Sequence, residues 1–286
     1  MMRWQRKSSI VLALSLLIAG LVWSQMGMYL AHLMFGVNLQ VNFFKFCMSL
    51  FKEKSFYYFL VITFLNALIV YTILITLIKF AQQYVLSRRF RNKIMSLRVR
   101  TLTDQIIRDY KPQNNKLIVI DHKQSMAFTM GFRSPLIVLS TGLIEMLDRH
   151  ELEAVIEHEA FHQNNRDSLK IFILQLISQA LWFIPLTKWT YQNYKIISEL
   201  MADEYAIMKT GSELGLGSAL LKLIKSCFHE NATPVLAHFA DGSVNYRLQQ
   251  LVDPQKNIPV KLETTSIVIS IYVLLLFMSM IVLAVT

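Results

Sequence analysis

The sequence predicts a mainly α integral membrane protein. Three transmembrane helices and a membrane-associated helical hairpin are expected around a domain-sized block with a small β-sheet. Three observations carry this. Apolar runs of membrane-crossing length stand at about 10–30, 57–80 and 266–285. Hydrophobic residues make up 54% of the 286 and charged residues only 17%, against roughly 25% in an ordinary soluble chain. Between the second and third runs, short β-branched strands give way to long helical patterns. The same composition excludes intrinsic disorder, which needs low hydrophobicity and high charge. Cys47 and Cys227 are the only cysteines, so a disulfide scaffold is excluded as well.

The run from Ile10 to Leu30 follows Arg3, Arg6 and Lys7 and is broken only by Ser15, Ser24 and Gln25 among polar residues. A cleavable signal has a shorter apolar region and ends in small residues. Tyr29-Leu30-Ala31-His32 offers no such site, so a retained span is expected. Tyr57 to Phe80 carries no charge until Lys79, and Ser266 to Val285 carries none. Each has the ~20 residues that cross a hydrocarbon core. Arg88, Arg89, Arg91, Lys93, Arg98 and Arg100 follow the second span, whereas the 36–55 loop holds only Lys45, Lys52 and Lys54. The positive-inside rule then places the N-terminus and the 81–265 block on the cytoplasmic side of a cell membrane. The domains read as an N-terminal membrane region 1–80, a cytoplasmic domain 81–265 and a C-terminal span 266–286. The net charge of +10 fits topology and lipid contact rather than direct nucleic-acid binding.

Within the block, 88–110 reads as one basic amphipathic helix beside the membrane, with anionic lipid as a secondary contact. Strands are expected at Leu117–Ile120, Ser125–Met130 and Leu136–Ser140, punctuated by Gly131 and Pro135. Asp148 and Glu151 stand at N-cap and N3 spacing and open a helix that runs to about Asn165.

That helix contains His158-Glu159-Ala160-Phe161-His162, an H-E-x-x-H pattern. Residues four apart share a helical face, so both imidazoles can reach one metal, and Glu159 can serve as general base toward water. A catalytic zinc site takes a third protein ligand and keeps one position open. Glu199 is the expected ligand, with Glu204 the rival in a shifted register. Asp203, one turn past Glu199, is expected to accept a hydrogen bond from a ligand histidine. Asp167 is expected to orient the helix end or a ligand. No role is assigned to His122, His150 or Glu157. One Zn2+ per chain is the expected cofactor.

Topology constrains the third ligand. A single crossing through the apolar stretch Leu169 to Pro185 would strand Glu199 on the far face. A turn near Pro185 and a returning helix bring residues 187–199 back about 18 Å at 1.5 Å per residue. Residues 169–208 are therefore read as a hairpin that dips into or lies against the membrane, its backbone satisfied internally.

This arrangement, from Ala127 to about Ala206 with a weaker tail to Leu251, resembles the BlaR/MecR-type membrane zinc metallopeptidases, which are gluzincins. The features are Gly131, Pro135 and Leu143, then His158, Glu159, His162, Asp167, Glu199 and Asp203. The resemblance implies a cytoplasmic gluzincin-like zinc protease domain, with His158, His162 and Glu199 as ligands and Glu159 as base. It also implies cleavage of a cytoplasmic protein, often a winged-helix repressor. HtpX and CAAX-prenyl-protease relatives share both motifs, so these alone do not separate the families. The antibiotic receptors of the family carry an extracellular penicillin-binding domain; with the sequence ending at Thr286, none is expected here. Ser49-Leu50-Phe51-Lys52 spells S-x-x-K in a loop too short for an acylation pocket, and Asn231-Ala232-Thr233 is a sequon by spelling only.

A metalloendopeptidase acting in signalling is the leading reading. An HtpX-like quality-control protease is the alternative. A non-enzymatic membrane signalling subunit is disfavoured, because Glu159 is intact. His229, His238, Tyr205 and Arg247 are available as oxyanion donors, and the sequence does not choose among them. Zinc peptidases of this type bind an extended substrate as an added strand. Ser125, Ala127, Phe128 and Met130 are the expected substrate-docking edge.

Overall fold

The computed structural model describes residues 2–36, 45, 48–49, 55–112, 114, 116–229, 243–253 and 264–283. Most of the 36–55 loop, the Asn231 sequon and His238 lie outside them. The helices are α1 (Met2–Phe35), α2 (Phe56–Ser96), α3 (Arg100–Tyr110), α4 (Thr141–Met146), α5 (Arg149–Asn165), α6 (Asp167–Ala180), α7 (Pro185–Thr210), α8 (Glu213–His229), α9 (Ser243–Val252) and α10 (Thr264–Leu283). The strands are β1 (Leu117–Ile120), β2 (Ala127–Met130) and β3 (Leu136–Ser140). The chain folds as two compact units, one made of 1–9, 84–172 and 193–260, the other of 10–83, 173–192 and 261–286.

In the first unit the strands lie in the order β1-β3-β2, with β1 and β3 parallel and β2 and β3 antiparallel. Leu-Ile-Val-Ile and Leu-Ile-Val-Leu are almost continuously apolar because both faces of the sheet are covered. Leu117, Val119, Ile137 and Leu139 pack with Ile106 of α3 and Val155, Ile156 and Ala160 of α5. Ile118, Ile120 and Val138 pack on the other side with Ile94 of α2 and Met126.

Residues 88–110 are not one helix. The helical path breaks between Ser96 and Arg100, where Arg98 bridges Ile120. Val99 N–H donates to Val119 O and Asp121 N–H to Leu97 O, each at 2.8 Å. The break gives the outer edge of β1 the backbone partners a buried edge requires. β2 keeps a free edge: it has no second strand partner among the described residues.

α5 starts as its sequence predicts. Asp148 Oδ1 accepts from His150 N and Glu151 N, each at 2.9 Å, and Glu151 Oε2 accepts from Asp148 N at 2.9 Å. Glu151 is buried, and Lys222 of α8 pairs with it at 2.6 Å. α5 ends at Arg166, whose φ of 54° is left-handed, and α6 starts at the next residue. Pro185 opens α7 at the first helical position, where a missing N–H costs nothing. From there to Glu199 the helix rises about 21 Å.

The second unit has its own core: Ile18, Val22, Met26 and Tyr29 of α1, Leu65 and Ile69 of α2, Ile177 of α6, and Leu181 and Ile184 of the turn. Tyr29 O–H donates to Asn66 at 3.1 Å, and Leu186 N–H to Ser270 of α10 at 2.9 Å. Outward, Leu17, Phe59, Phe64 and Leu77 are more than half exposed. An apolar surface this wide suits hydrocarbon rather than water. α1 (from Trp4) and α2 are each long and apolar enough to cross a membrane, and α10 contributes the shorter apolar helix Thr264–Leu275.

The start of α4 depends on a close approach. Gly142 N–H donates to His122 O at 3.0 Å, and a Cβ there would sit 1.9 Å from Lys123 O. Gly142→Ala is expected to destabilise the first unit by about 1–3 kcal/mol, the usual cost of overpacking. Gly20→Ala, with nothing within 4 Å of its Cβ, should be neutral. Thermal unfolding of the two variants in detergent checks the contrast.

Candidate metal centre

His158 and His162 occupy one face of α5, and their Nε2 atoms lie 3.2 Å apart. The α6–α7 hairpin returns Glu199 to their level. Glu199 Oε2 is 3.5 Å from His158 Nε2, and Oε1 is 3.6 Å from His162 Nε2. One donor atom from each of the three lies within 4.8 Å of the others.

Each imidazole is backed by a carboxylate on its other nitrogen. His162 Nδ1 is 2.8 Å from Asp167 Oδ2, which the sharp α5–α6 junction brings back beneath it. Asp167 Oδ1 accepts from Tyr194 O–H and Asn165 Nδ2, each at 2.8 Å. His158 Nδ1 is 2.8 Å from Asp203 Oδ1, a charge contact off the line of an ideal hydrogen bond. Arg247 of α9 clamps Asp203 through Nε at 2.8 Å and Nη2 at 2.7 Å, while Nη1 lies 3.2 Å from Glu199. A carboxylate on each Nδ1 favours a proton there and turns both Nε2 atoms toward Glu199. Two imidazoles and a carboxylate, three protein donors with an open side, fit a catalytic divalent metal.

The electrostatics follow from burial and these partners. For His162, burial opposes the charged form, yet the Asp167 hydrogen bond and the Glu199, Asp167 and Glu159 carboxylates outweigh it and raise the pKa to about 9. His158 is raised as well: burial and Arg247 oppose its charge, and Asp203 and Glu199 prevail. Burial would raise the Glu199 carboxyl, but His158, His162 and Arg247 hold it well below the ordinary range. Asp203 is lowered too, with burial overcome chiefly by Arg247 and then His158.

The triad opens on a cavity of about 310 Å³. Glu159 lines it, as do Ala127, Phe128 and Thr129 of β2 and Lys195 and Arg247. The Thr129 hydroxyl is 2.8 Å from Glu159 Oε2 and 3.0 Å from Glu159 O. Of the expected docking residues, Ala127 and Phe128 face the cavity. Ser125 turns toward Gly142 O, at 3.3 Å, and Met130 packs beside Ile94 and Val138. Glu204 is not in the cluster. Among the oxyanion candidates, Arg247 lines the cavity, whereas the Tyr205 ring packs tilted against Phe161 with centroids 5.5 Å apart. Thr129 and Tyr194 are the residues the sequence reading missed. Neither stands at a motif position, and only the β2–α5 packing and the hairpin return reveal them.

A largely helical chain with membrane-length helices and a His-His-Glu cluster, its histidines buried, beside a strand edge defines a membrane metallopeptidase. The family model described as BlaR1 peptidase M56 matches residues 48–251, and the chain belongs to that family. Curated relatives are proteases of the HtpX name. The HtpX homolog of Pyrobaculum calidifontis is 25% identical over 174 residues, 59% of this chain and 50% of its own. That of Salinibacter ruber is 28% identical over 156 residues, 45% of this chain and 56% of its own. That of Thermodesulfovibrio yellowstonii is 39% identical over 72 residues, 24% of this chain and 25% of its own. The chain thus spans between a quarter and just over half the length of these relatives.

Elemental analysis should find one divalent metal per chain, lost or strongly weakened in His158→Ala, His162→Ala and Glu199→Ala. Glu204→Ala should keep it; the reverse pattern would assign the third ligand to Glu204. Affinity should also depend on pH. A metal displaces the imidazole proton, so with His162 at about 9 binding should strengthen as pH rises toward that value and then level off. The gain is about tenfold per pH unit for each proton displaced. Metal titrations between pH 6 and 10 measure it.

Proposed function

We propose that this protein is a membrane-embedded zinc metalloendopeptidase that cleaves a cytoplasmic protein, a winged-helix transcriptional repressor, in a signalling pathway. The observation that carries the reading is the meeting of His158, His162 and Glu199 with Glu159 in one cavity beside the free edge of β2. In this reading α1, α2 and α10 are the three spans, the N-terminus is cytoplasmic, and 81–265 is the catalytic domain. The run of Arg88 to Arg100 after the second apolar stretch supports that orientation.

His158, His162 and Glu199 would hold the zinc ion, with Asp203 behind His158. When bound, zinc supplies Lewis acidity toward a carbonyl and a water molecule. Glu159 accepts the proton of the attacking water and returns it to the leaving amine. The Thr129 hydroxyl holds the Glu159 carboxylate toward the cavity. Arg247 offers a fixed positive charge at the same wall.

β2 is the proposed substrate edge. Ser140 N–H donates to Met126 O at 3.0 Å, so by antiparallel alternation Phe128 and Met130 pair with β3 while Ala127 and Thr129 face outward. Thr129 O is already taken by Ser168 Oγ at 3.1 Å. Among the described residues nothing pairs with Ala127 N–H, Ala127 O or Thr129 N–H, and an extended peptide would dock on them by strand addition.

The similarity to proteases named HtpX over 174 residues favours a second reading, a membrane-protein quality-control protease. Site-specific cleavage of one co-expressed repressor supports the first, and many cuts in unfolded membrane proteins support the second.

Glu159→Gln should retain zinc and lose cleavage of either substrate class, because it removes the base and no ligand. Elemental analysis beside the cleavage assay checks it, and residual wild-type cleavage would sink the mechanism. Ala127→Pro should abolish cleavage with zinc and protein level preserved, because it removes an outward N–H. Phe128→Pro should instead deplete folded protein. Full activity in Ala127→Pro would remove β2 from substrate binding.

A further inference from the structure

The hydrogen-bond network behind His162 reaches beyond its carboxylate. Asp167 spends Oδ2 on His162 and Oδ1 on the Tyr194 hydroxyl, both at 2.8 Å. Tyr194 has no exposed surface. It lies on α7, between one and two turns before Glu199. With its proton given to Asp167, its oxygen is left to accept, and the Ser8 and Asn165 side chains both hydrogen-bond to it. Ser8 is buried on the first turns of α1, close to the buried Trp4. α1 is one continuous helix from Met2 to Phe35. A buried phenol is satisfied by a single acceptor. This one joins the end of an apolar, span-length helix to the carboxylate behind a metal-site histidine.

We infer that Tyr194 is a positioning residue that sets the orientation of His162 through Asp167, and that Ser8 of α1 holds the Tyr194 hydroxyl in place to do so. The inference rests on the metal reading of His158, His162 and Glu199. The physical reason is torsional. The terminal torsion of an aspartate is broad, so its carboxylate plane is fixed by its partners and not by its rotamer. Asn165 donates to Oδ1 and also hydrogen-bonds to the phenol, so removing the hydroxyl leaves Asp167 one donor fewer on that oxygen and Asn165 one partner fewer. The Asp167 plane loosens, and with it the direction of the His162 Nε2 lone pair. Ser8 acts one bond further out. With Asn165 it fixes the rotor of the phenol, so the position of the α1 N-terminal turn is read at the metal ligand.

The test is Zn2+ affinity of the full-length chain in detergent, by competition with a chromophoric chelator, for Tyr194→Phe, Ser8→Ala and the double variant. Metal-free unfolding temperatures are taken in parallel. Loss of a direct partner of a ligand histidine weakens metal about 10–100-fold, so Tyr194→Phe, one bond removed, should weaken it about 3–10-fold. Ser8→Ala should weaken it less and add nothing to Tyr194→Phe, because coupled residues are non-additive. The metal-free unfolding temperature should stay close to wild type in all three. Wild-type affinity in Tyr194→Phe overturns the inference. So does a Ser8→Ala effect that multiplies with that of Tyr194→Phe, since independent effects mean no relay runs through the hydroxyl. Should Tyr194→Phe fail to fold, unchanged affinity in Ser8→Ala overturns it alone. A wild-type chain that holds no zinc overturns the metal reading itself, and is recognised because every variant is then equally empty.

Discussion

Two buried imidazoles must present neutral nitrogens to one point, and the carboxylates behind them decide where much of the first unit goes. Asp167 can reach His162 only because α5 ends in a left-handed residue and α6 starts without a linker. Asp203 can reach His158 only because α7 returns, and one turn earlier the same helix delivers Glu199. Asp203 then needs its own counter-charge, and Arg247 brings α9 to the site. Each element arrives as the partner of a group already committed.

This is costly chemistry to bury. Asp203 and Arg247 are charged groups with little solvent, Glu199 beside them is only partly exposed, and an unpaired buried charge would cost several kcal/mol. The bidentate Arg247–Asp203 pair and the contact of Arg247 with Glu199 remove that penalty without using up the Nε2 lone pairs. The two histidines are supported differently. His162 is backed by a carboxylate held by neutral donors, Tyr194 and Asn165, whereas His158 is backed by one held by a cation. Replacing either set by apolar side chains would leave the imidazoles free to turn.

The sheet obeys a related economy. An open strand edge invites pairing with any extended chain, and folded proteins usually cover it. Here the β1 edge is closed by Leu97 to Val99, at the cost of breaking the helix that precedes α3. Among the described residues the β2 edge is left open beside the cavity, with only Thr129 O already bonded. One edge is shielded and the other kept available, and the available one lies next to Glu159.

Local chemistry was legible in the sequence wherever it repeats at short range. The capping box at Asp148 and Glu151, the i, i+4 pairing of His158 and His162, the apolar strands and the turn at Pro185 all depend on neighbours within a few residues. Glu199 was reachable too, because a hairpin was the one topology that returned it to the histidines. Other features were decided by tertiary packing. The break at Leu97–Val99 exists for a β1 edge some twenty residues later, so the helical pattern of 88–110 could not reveal it. Arg247 was one of four equal oxyanion candidates until α9 packed against Asp203. Tyr194 and Thr129 carry no motif, since a hydroxyl becomes meaningful only beside the carboxylate it holds. Periodicity encodes which face a residue occupies, and only the packed chain decides what that face meets.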